Sequence, residues 1–503
     1  MKGLRMGGVA RRLARWAGQN VGQNVRLSAG LSAGLCIALY AGACAAQALP
    51  VHTTVLALQA LADAPELVCA PRAPRPSPAP RPADETEPTV PDAAQVQAQV
   101  RDLMQAQPAQ EVPAPQAAPA LPGVRWLAPP PGQPLRVALW GDSHLAAGFF
   151  SQELGRLLGL APEQVQAAHW PATVGRAGVR LPLRKSCASG GWRYESAHAD
   201  ALAAARSGPA LASMVSAEPG ASVAWDLRGA DGQARHAGLQ LLYEQGEAPV
   251  LLSVQADGGP AQTVTLQGPA GPARLQLQAQ APLSTLKVTL LQGRWRWHAL
   301  QAPPPEGTRL QLDVFGYPGA TVAGWQSAGS DYNSAWWDGQ DYALVVLAFG
   351  TNEGNVQPFD ASAYAQTLAR AVAAWRAQFP RAACALIGPG DRGVLVPRAQ
   401  KRAKAAAKAK GGARAVAPDL LRFTRVHAQI NALQQQVAQA HGCRFWSAQQ
   451  AMGGAGSAYR WQAHQPAWMA RDLVHFTVPG YQQLARLWAE DMGWGPALLG
   501  PAP

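Results

Sequence analysis

"VALWGDSHLAAGFF", Val137 to Phe150, carries the first decision about this chain. "LRVALW" is a short continuous apolar run, as a buried strand requires, and "HLAAGFFSQELGRLLGL" has helical spacing. Ser143 is therefore expected on a tight strand-to-helix turn, with Asp142 before it and His144 after it. A serine at such a turn is a candidate nucleophile. It needs an imidazole to take its proton, a carboxylate to orient that imidazole, and donors where an oxyanion develops. His144 does not suit the first role, because adjacent side chains in a tight turn diverge. Asp142 is expected to cap the turn.

Outward from this point the pattern repeats. "DYALVVLAFG", "ACALIGPGD" and "CRFWSAQQAM" read as strands. "DASAYAQTLARAVAAWRAQFP", "RVHAQINALQQQVAQAHG" and "VPGYQQLARLWAEDM" read as helices. Alternation of this kind predicts an α/β domain with a parallel sheet, whose sites lie at the carboxyl ends of the strands. Residues 205–304 break the rhythm: "ASVAWDLR", "GLQLLYEQ", "PVLLSVQADG" and their successors alternate with period two between Gly, Pro and Asp turns. They predict a β-sandwich or jelly roll, inserted because the α/β pattern resumes after it. The α/β domain is thereby split into 135–204 and 305–503.

Before Leu135 the chain reads differently. Residues 1–46 hold six basic side chains and no acid, then the apolar run "LSAGLSAGLCIALYAGACAA", which is expected to be a signal peptide or signal anchor. Residues 47–134 are rich in Pro, Ala and Gln and are expected to be a largely unstructured linker, with one short helix over "DAAQVQAQVRDLMQAQ". The formal charge is +12, mildly favouring an anionic partner. The basic loop 398–415 has no aromatic residue among its lysines, so nucleic acid is not expected. Export permits disulfides, and Cys384 and Cys443 each begin a strand-like run that adjacent parallel strands could bring together. No cysteine or histidine spacing suggests a metal, and no cofactor is expected.

Three downstream stretches supply chemistry. "GYPGATVAGW" places Gly319 just after a strand, where its N–H can approach a substrate closely. "VVLAFGTNEGN" puts the Asn352 amide at a strand end, and "ARDLVHFTVPGYQQLA" spaces Asp472 three residues before His475. That spacing lets the carboxylate reach Nδ1 while Nε2 faces outward. His144 and Glu353 are candidate substrate contacts. Trp192, Trp325, Trp336 and Trp337 are expected to pack rather than stack on sugar rings.

Taken in order, these blocks resemble the SGNH (GDSL-type) hydrolase superfamily. "GDSH", "GTNE" and "DLVHFTVPGYQQLA" look most like the peptidoglycan O-acetylesterases of Gram-negative bacteria, which also carry a β-sandwich between the first two blocks. The resemblance implies a flavodoxin-like α/β/α sandwich. It implies Ser143 as nucleophile, His475 as base then acid, and Asp472 as its orienter. The oxyanion hole would be the N–H groups of Ser143 and Gly319 with the Asn352 amide. The implied activity is an exported serine carbohydrate esterase, periplasmic or tethered to the inner membrane. It would remove O-acetyl groups from a glycan, with the N-acetylmuramoyl residues of peptidoglycan as the expected substrate. Transfer of the acetyl group to a glycan hydroxyl uses the same triad and stays open, as do glycan binding without turnover and a lipid or xylan-like ester. Two features depart from the family pattern: Pro318 before Gly319, and the basic insertion itself.

Overall fold

A six-stranded parallel sheet carries the site. In spatial order its strands are Arg444–Ser447, Ala383–Gly388, Leu344–Ala348, Leu135–Gly141, Leu310–Gly316 and Val165–Gln166. Without the two-residue edge strand, the chain order across the sheet is 2-1-3-4-5, the flavodoxin-like winding expected. The computed structural model describes residues 50–69, 88–106, 129–130, 132–199, 206–327, 330–337, 339–396 and 417–499. The expected export segment 1–46, half of the region 47–134 and the basic loop 398–415 lie outside the described residues. Among the described residues, no helix is long and apolar enough to cross a membrane.

Both faces of this sheet are buried, which explains why its strands are mostly apolar. Side chains alternate between two cores. Leu135, Val137 and Leu139 face a core completed by Phe150, Leu154, Leu484 and Trp488. Ala138 and Trp140 face the opposite one, with Trp325, Trp336, Trp337, Trp375 and Ile430. The helices Phe149–Leu157 and Val478–Met492 pack together on the first face, and Ala361–Gln378 and Arg422–Ala440 on the second. Trp325, Trp336 and Trp337 are thus interior residues, as expected, at 2%, 0% and 5% exposure. Trp192 is partly buried, donates its indole N–H to the Ser222 carbonyl and packs edge-on against Trp295.

Two further sheets lie between the first and second strands of the winding. A seven-stranded sheet and a five-stranded one share a single core that includes Met214, Trp225, Leu252, Leu275, Leu286 and Trp297. Their pairing is antiparallel, except that His52–Leu58 joins strand Gly271–Ala279 in parallel. Expectation and structure differ here in two ways. The sheets start well before residue 205, because His169–Pro171, Lys185–Ala188 and Arg193–Ser196 all belong to them. The region 47–134 is not linker throughout: His52–Leu58 is a strand, and the helix Ala93–Ala106 buries Val96 in the hydrolase core. A Pro/Ala-rich composition averages over such short ordered pieces, and the partners of both lie more than 200 residues away. Buried Asp313 couples the architectures by accepting from the backbone N–H groups of Ala168 and His169, each at 2.8 Å.

Two disulfides close long loops. Cys384 bonds Cys443 across the neighbouring strands Ala383–Gly388 and Arg444–Ser447, as the sequence allows, and Cys69 bonds Cys187. A closed loop of this length contributes roughly 4 kcal/mol in the chain-entropy account. The strand expected over "CRFWSAQQAM" stops at Ser447, whose hydroxyl accepts from the Gln450 N–H and caps the short helix Ala448–Ala451.

Candidate active site

Three strands end at one level. Gly141 lies beside Gly316 on one side and Ala348 on the other, so the loops that follow share one ledge. Those loops carry Ser143, Gly319 and Asn352. A side chain at Gly316 would collide with the backbone of Ala146, so glycine there lets the helix Ser143–Ala146 lie directly on the sheet. Asp142 is the N-cap of this helix: its carboxylate accepts from the His144 N–H at 2.9 Å. The capping role expected for Asp142 is the one observed.

Residues distant in sequence meet at this ledge. Ser143 Oγ lies 3.1 Å from His475 Nε2, and His475 Nδ1 lies 2.8 Å from an Asp472 carboxylate oxygen. The other Asp472 oxygen accepts from the Val474 and His475 N–H groups, both at 2.9 Å. Burial alone would raise the Asp472 carboxyl. The hydrogen bonds from His475 and from these two amides outweigh it and hold the group at about 2. In return, the bond to Asp472 raises the His475 imidazole above its ordinary 6.5, against partial burial. Both side chains are open to solvent, at 46% and 49% exposure. Between them, buried Leu473 has a left-handed backbone with φ of +57°. Bonds from the Leu473 N–H to Ala470 and from the Gly393 N–H to the Leu473 carbonyl hold that conformation.

His144 does not reach this array as a base. Its Nδ1 sits 3.2 Å from the Tyr481 hydroxyl, and burial lowers its imidazole below 6.5. Glu353 is also committed elsewhere. Its two oxygens accept from the N–H groups of Val322, at 2.8 Å, and Gly350, at 3.0 Å. The residue therefore pins the loop after Gly319 to the loop before Asn352. Burial pushes its carboxyl up to about 7, with those amides pulling the other way. Asn355 accepts from an Arg392 guanidinium nitrogen.

The oxyanion side is set by turn chemistry. Tyr317-Pro318-Gly319-Ala320 is a β-turn closed by the Ala320 N–H on the Tyr317 carbonyl at 3.0 Å, with Gly319 at φ +85°. Proline followed by a positive-φ glycine is the preferred central pair of a type II turn. Pro318, the departure noted in the sequence, thus fixes the peptide whose N–H belongs to Gly319. Asn352 donates one amide hydrogen to the Ala320 carbonyl at 2.8 Å; the amide carries a second. Ser143, in the first turn of its helix, has an N–H with no intrahelical partner.

Arg176 is a residue that sequence reasoning missed. Its guanidinium donates to the Pro318 carbonyl at 3.2 Å and lies over the Tyr317 ring, 4.0 Å from its centroid. The Pro318 carbonyl and the Gly319 N–H share one planar peptide and point in opposite directions. A cation on the carbonyl therefore aims and polarises the donor on the other side. Nothing in the local sequence signals this, because Arg176 comes from the loop between the sheet strands His169–Pro171 and Lys185–Ala188. Arg176→Ala is expected to lower kcat on an acetyl ester about tenfold or more, with little change in KM, the scale of one hydrogen bond to a charged group. A variant that only melts earlier, with unchanged kcat per folded molecule, would make Arg176 a packing residue instead. Arg176→Lys should restore little, since an ammonium cannot both stack and reach the carbonyl.

A partly exposed hydroxyl, an imidazole and a carboxylate in line can form an acyl-serine. Among the described residues, no group of three or more His, Cys, Asp or Glu is placed to hold a metal ion. Residues 287–483 match the model of the GDSL-like Lipase/Acylhydrolase family. That span contains Gly319, Asn352, Asp472 and His475 but begins after Ser143, which the intervening sheets separate from the rest. No curated protein matches the chain. Among solved structures, it is similar to a peptidoglycan O-acetylesterase at 22% identity, covering 72% of this chain and 91% of that one with a TM-score of 0.53. At that identity the likeness establishes the fold. An acetylxylan esterase from Geobacillus stearothermophilus also matches, at 18% identity over 38% of this chain and 75% of that one, with a TM-score of 0.26. A family two carbohydrate esterase from Cellvibrio japonicus matches at 12% identity over 62% and 98%, with a TM-score of 0.22. At these scores the last two add nothing to the fold assignment.

Proposed function

We propose that this chain, whose residues 287–483 match the GDSL-like Lipase/Acylhydrolase family, is a serine esterase of the SGNH type that removes O-acetyl groups from peptidoglycan. The single observation that carries the chemistry is the aligned array of Ser143, His475 and Asp472. Ser143 Oγ attacks the acetyl carbonyl carbon as its proton passes to His475 Nε2. The oxyanion settles among the Ser143 and Gly319 N–H groups and the Asn352 amide. The carbon–oxygen bond to the sugar breaks, and His475 returns the proton to the leaving sugar oxygen. Water, activated by the same imidazole, then releases acetate from Ser143.

Several observations favour a glycan polymer. The triad is open to solvent rather than enclosed, so a bulky chain can lie across it. The solved protein whose fold this chain shares is a peptidoglycan O-acetylesterase. Export is favoured by the basic and then apolar N-terminal sequence and by the two disulfides. The two antiparallel sheets with a common core are the inserted β-sandwich in this reading.

The test is acetate release from O-acetylated peptidoglycan, with Ser143→Ala as the control. Release that needs no added acceptor supports the esterase. Product that forms only when a glycan acceptor is present would replace hydrolysis by transfer. Asn352→Ala is expected to slow the reaction by about 10²–10³-fold, the usual loss of one oxyanion donor. A rate within threefold of wild type would remove Asn352 from the hole.

A further inference from the structure

Arg392 is a cation that forms no ion pair with a carboxylate among the described residues, although the Asp472 carboxylate of the triad is near enough to favour its charge. It follows the strand Ala383–Gly388 at its carboxyl end, between the Asn352 loop and the Asp472–His475 loop. Its guanidinium donates to the Asn355 side chain and lies 3.9 Å from the centroid of the Phe423 ring. Its Nε is buried with no hydrogen-bond partner. Among the described residues, no carboxylate pairs with it. The following segment, residues 397–416, contains no Asp or Glu. A second guanidinium, Arg422, lies over the same ring at 4.5 Å and also has no carboxylate partner among the described residues. Burial and the like charge of Arg422 disfavour the cationic form of Arg392 and outweigh the Asp472 carboxylate, which favours it from the triad.

Arg392 is nonetheless held rigidly. Asp391 beside it is buried and accepts from the Thr424 hydroxyl at 2.7 Å, the Gln449 amide at 3.2 Å and the Ala458 N–H at 3.0 Å. On the other side, the Gly393 N–H donates to the Leu473 carbonyl at 3.0 Å and the Val394 N–H to the Tyr459 hydroxyl at 2.7 Å. The first of these bonds ends on the residue between Asp472 and His475. The charge of Arg392 is felt at the triad, where it opposes protonation of His475 and His144. A partly desolvated guanidinium with a second one close by destabilises the free protein. Fixing it there makes physical sense if an anion completes the site.

We propose that Arg392, supported by Arg422, forms a subsite for a carboxylate carried by the substrate next to the ester that is cleaved. The proposal rests on the reading of the substrate as an acetylated glycan. In peptidoglycan, the lactyl carboxyl of muramic acid, free or extended by a peptide, supplies this chemistry. Acetyl transfer itself needs no such charge, so the subsite acts on choice of substrate.

Binding of N-acetylmuramic acid and of N-acetylglucosamine to the full chain tests it by calorimetry, since the two sugars differ in the lactyl carboxylate and neither is an ester. Wild type is expected to bind the carboxylate sugar about tenfold more tightly, the scale of one charge-assisted bond. Arg392→Gln should erase that preference, and added salt should weaken it only where Arg392 is present. Equal affinity of wild type for both sugars, or a preference that survives Arg392→Gln in folded protein, would overturn the subsite. Acetate release, measured in parallel, keeps the two readings apart. Release without sugar discrimination removes the subsite and leaves the esterase. Discrimination without release leaves the subsite and removes the esterase.

Discussion

Ser143→Ala is expected to lower kcat for acetate release by roughly 10⁵–10⁶-fold while leaving the melting temperature unchanged, the scale seen when a serine nucleophile is removed. The size follows from the geometry. Ser143 Oγ makes the 3.1 Å contact with His475 Nε2, and the neighbouring hydroxyls are committed elsewhere: Tyr481 to His144 and Thr477 to the Ala467 carbonyl. The residue is partly exposed at the start of a four-residue helix whose cap is Asp142, so its hydroxyl supports no core packing. The oxyanion donors survive the substitution and leave a residual rate above water. A variant that keeps even a hundredth of the wild-type kcat, in protein free of wild-type contamination, would place the nucleophile elsewhere.

Asp472→Asn should cost about 10⁴-fold at neutral pH, because an amide at that position favours the wrong imidazole tautomer. The pH profile gives an independent check. His475 accepts the Ser143 proton only when neutral. Its imidazole is raised above 6.5 by the Asp472 carboxylate, so kcat/KM should fall as pH drops through a value above 6.5. Asp472 itself, held at about 2, stays ionised throughout that range. In Asp472→Asn the raising interaction is gone, and the acidic limb should move to lower pH. A limb that stays in place would mean that a group other than His475 sets it.

Legibility differed from residue to residue. The strand-turn-helix around Ser143 was visible because a buried strand, a tight turn and a helix each leave a local pattern. The three-residue spacing of Asp472 and His475 was likewise local, and the observed contact uses it directly. The Cys384–Cys443 pair followed from two short strand-like runs in an α/β context. Glu353 was harder. As a carboxylate after Asn352 it was open to either a structural role or a sugar contact, with the structural role favoured, and the fold gives both its oxygens to backbone amides. Pro318 looked like an irregularity until the turn it builds was in view. The strand His52–Leu58 was hidden by composition, since its ladder partner begins at Ala273.

The sequence by itself determined the α/β alternation, the split by a β-rich segment and the five residues expected to form the triad and oxyanion hole. These rest on short-range periodicity and on motif spacing within a few residues. Only the tertiary structure decided what converges on them. It brought Ser143 to His475 across 332 positions, set Arg176 behind the Gly319 peptide and placed Arg392 beside the triad with no ion-paired carboxylate among the described residues. The physical reason is that a parallel sheet aligns the carboxyl ends of strands far apart in the chain. Which side chains meet there depends on register and loop anchoring, and no local pattern records either.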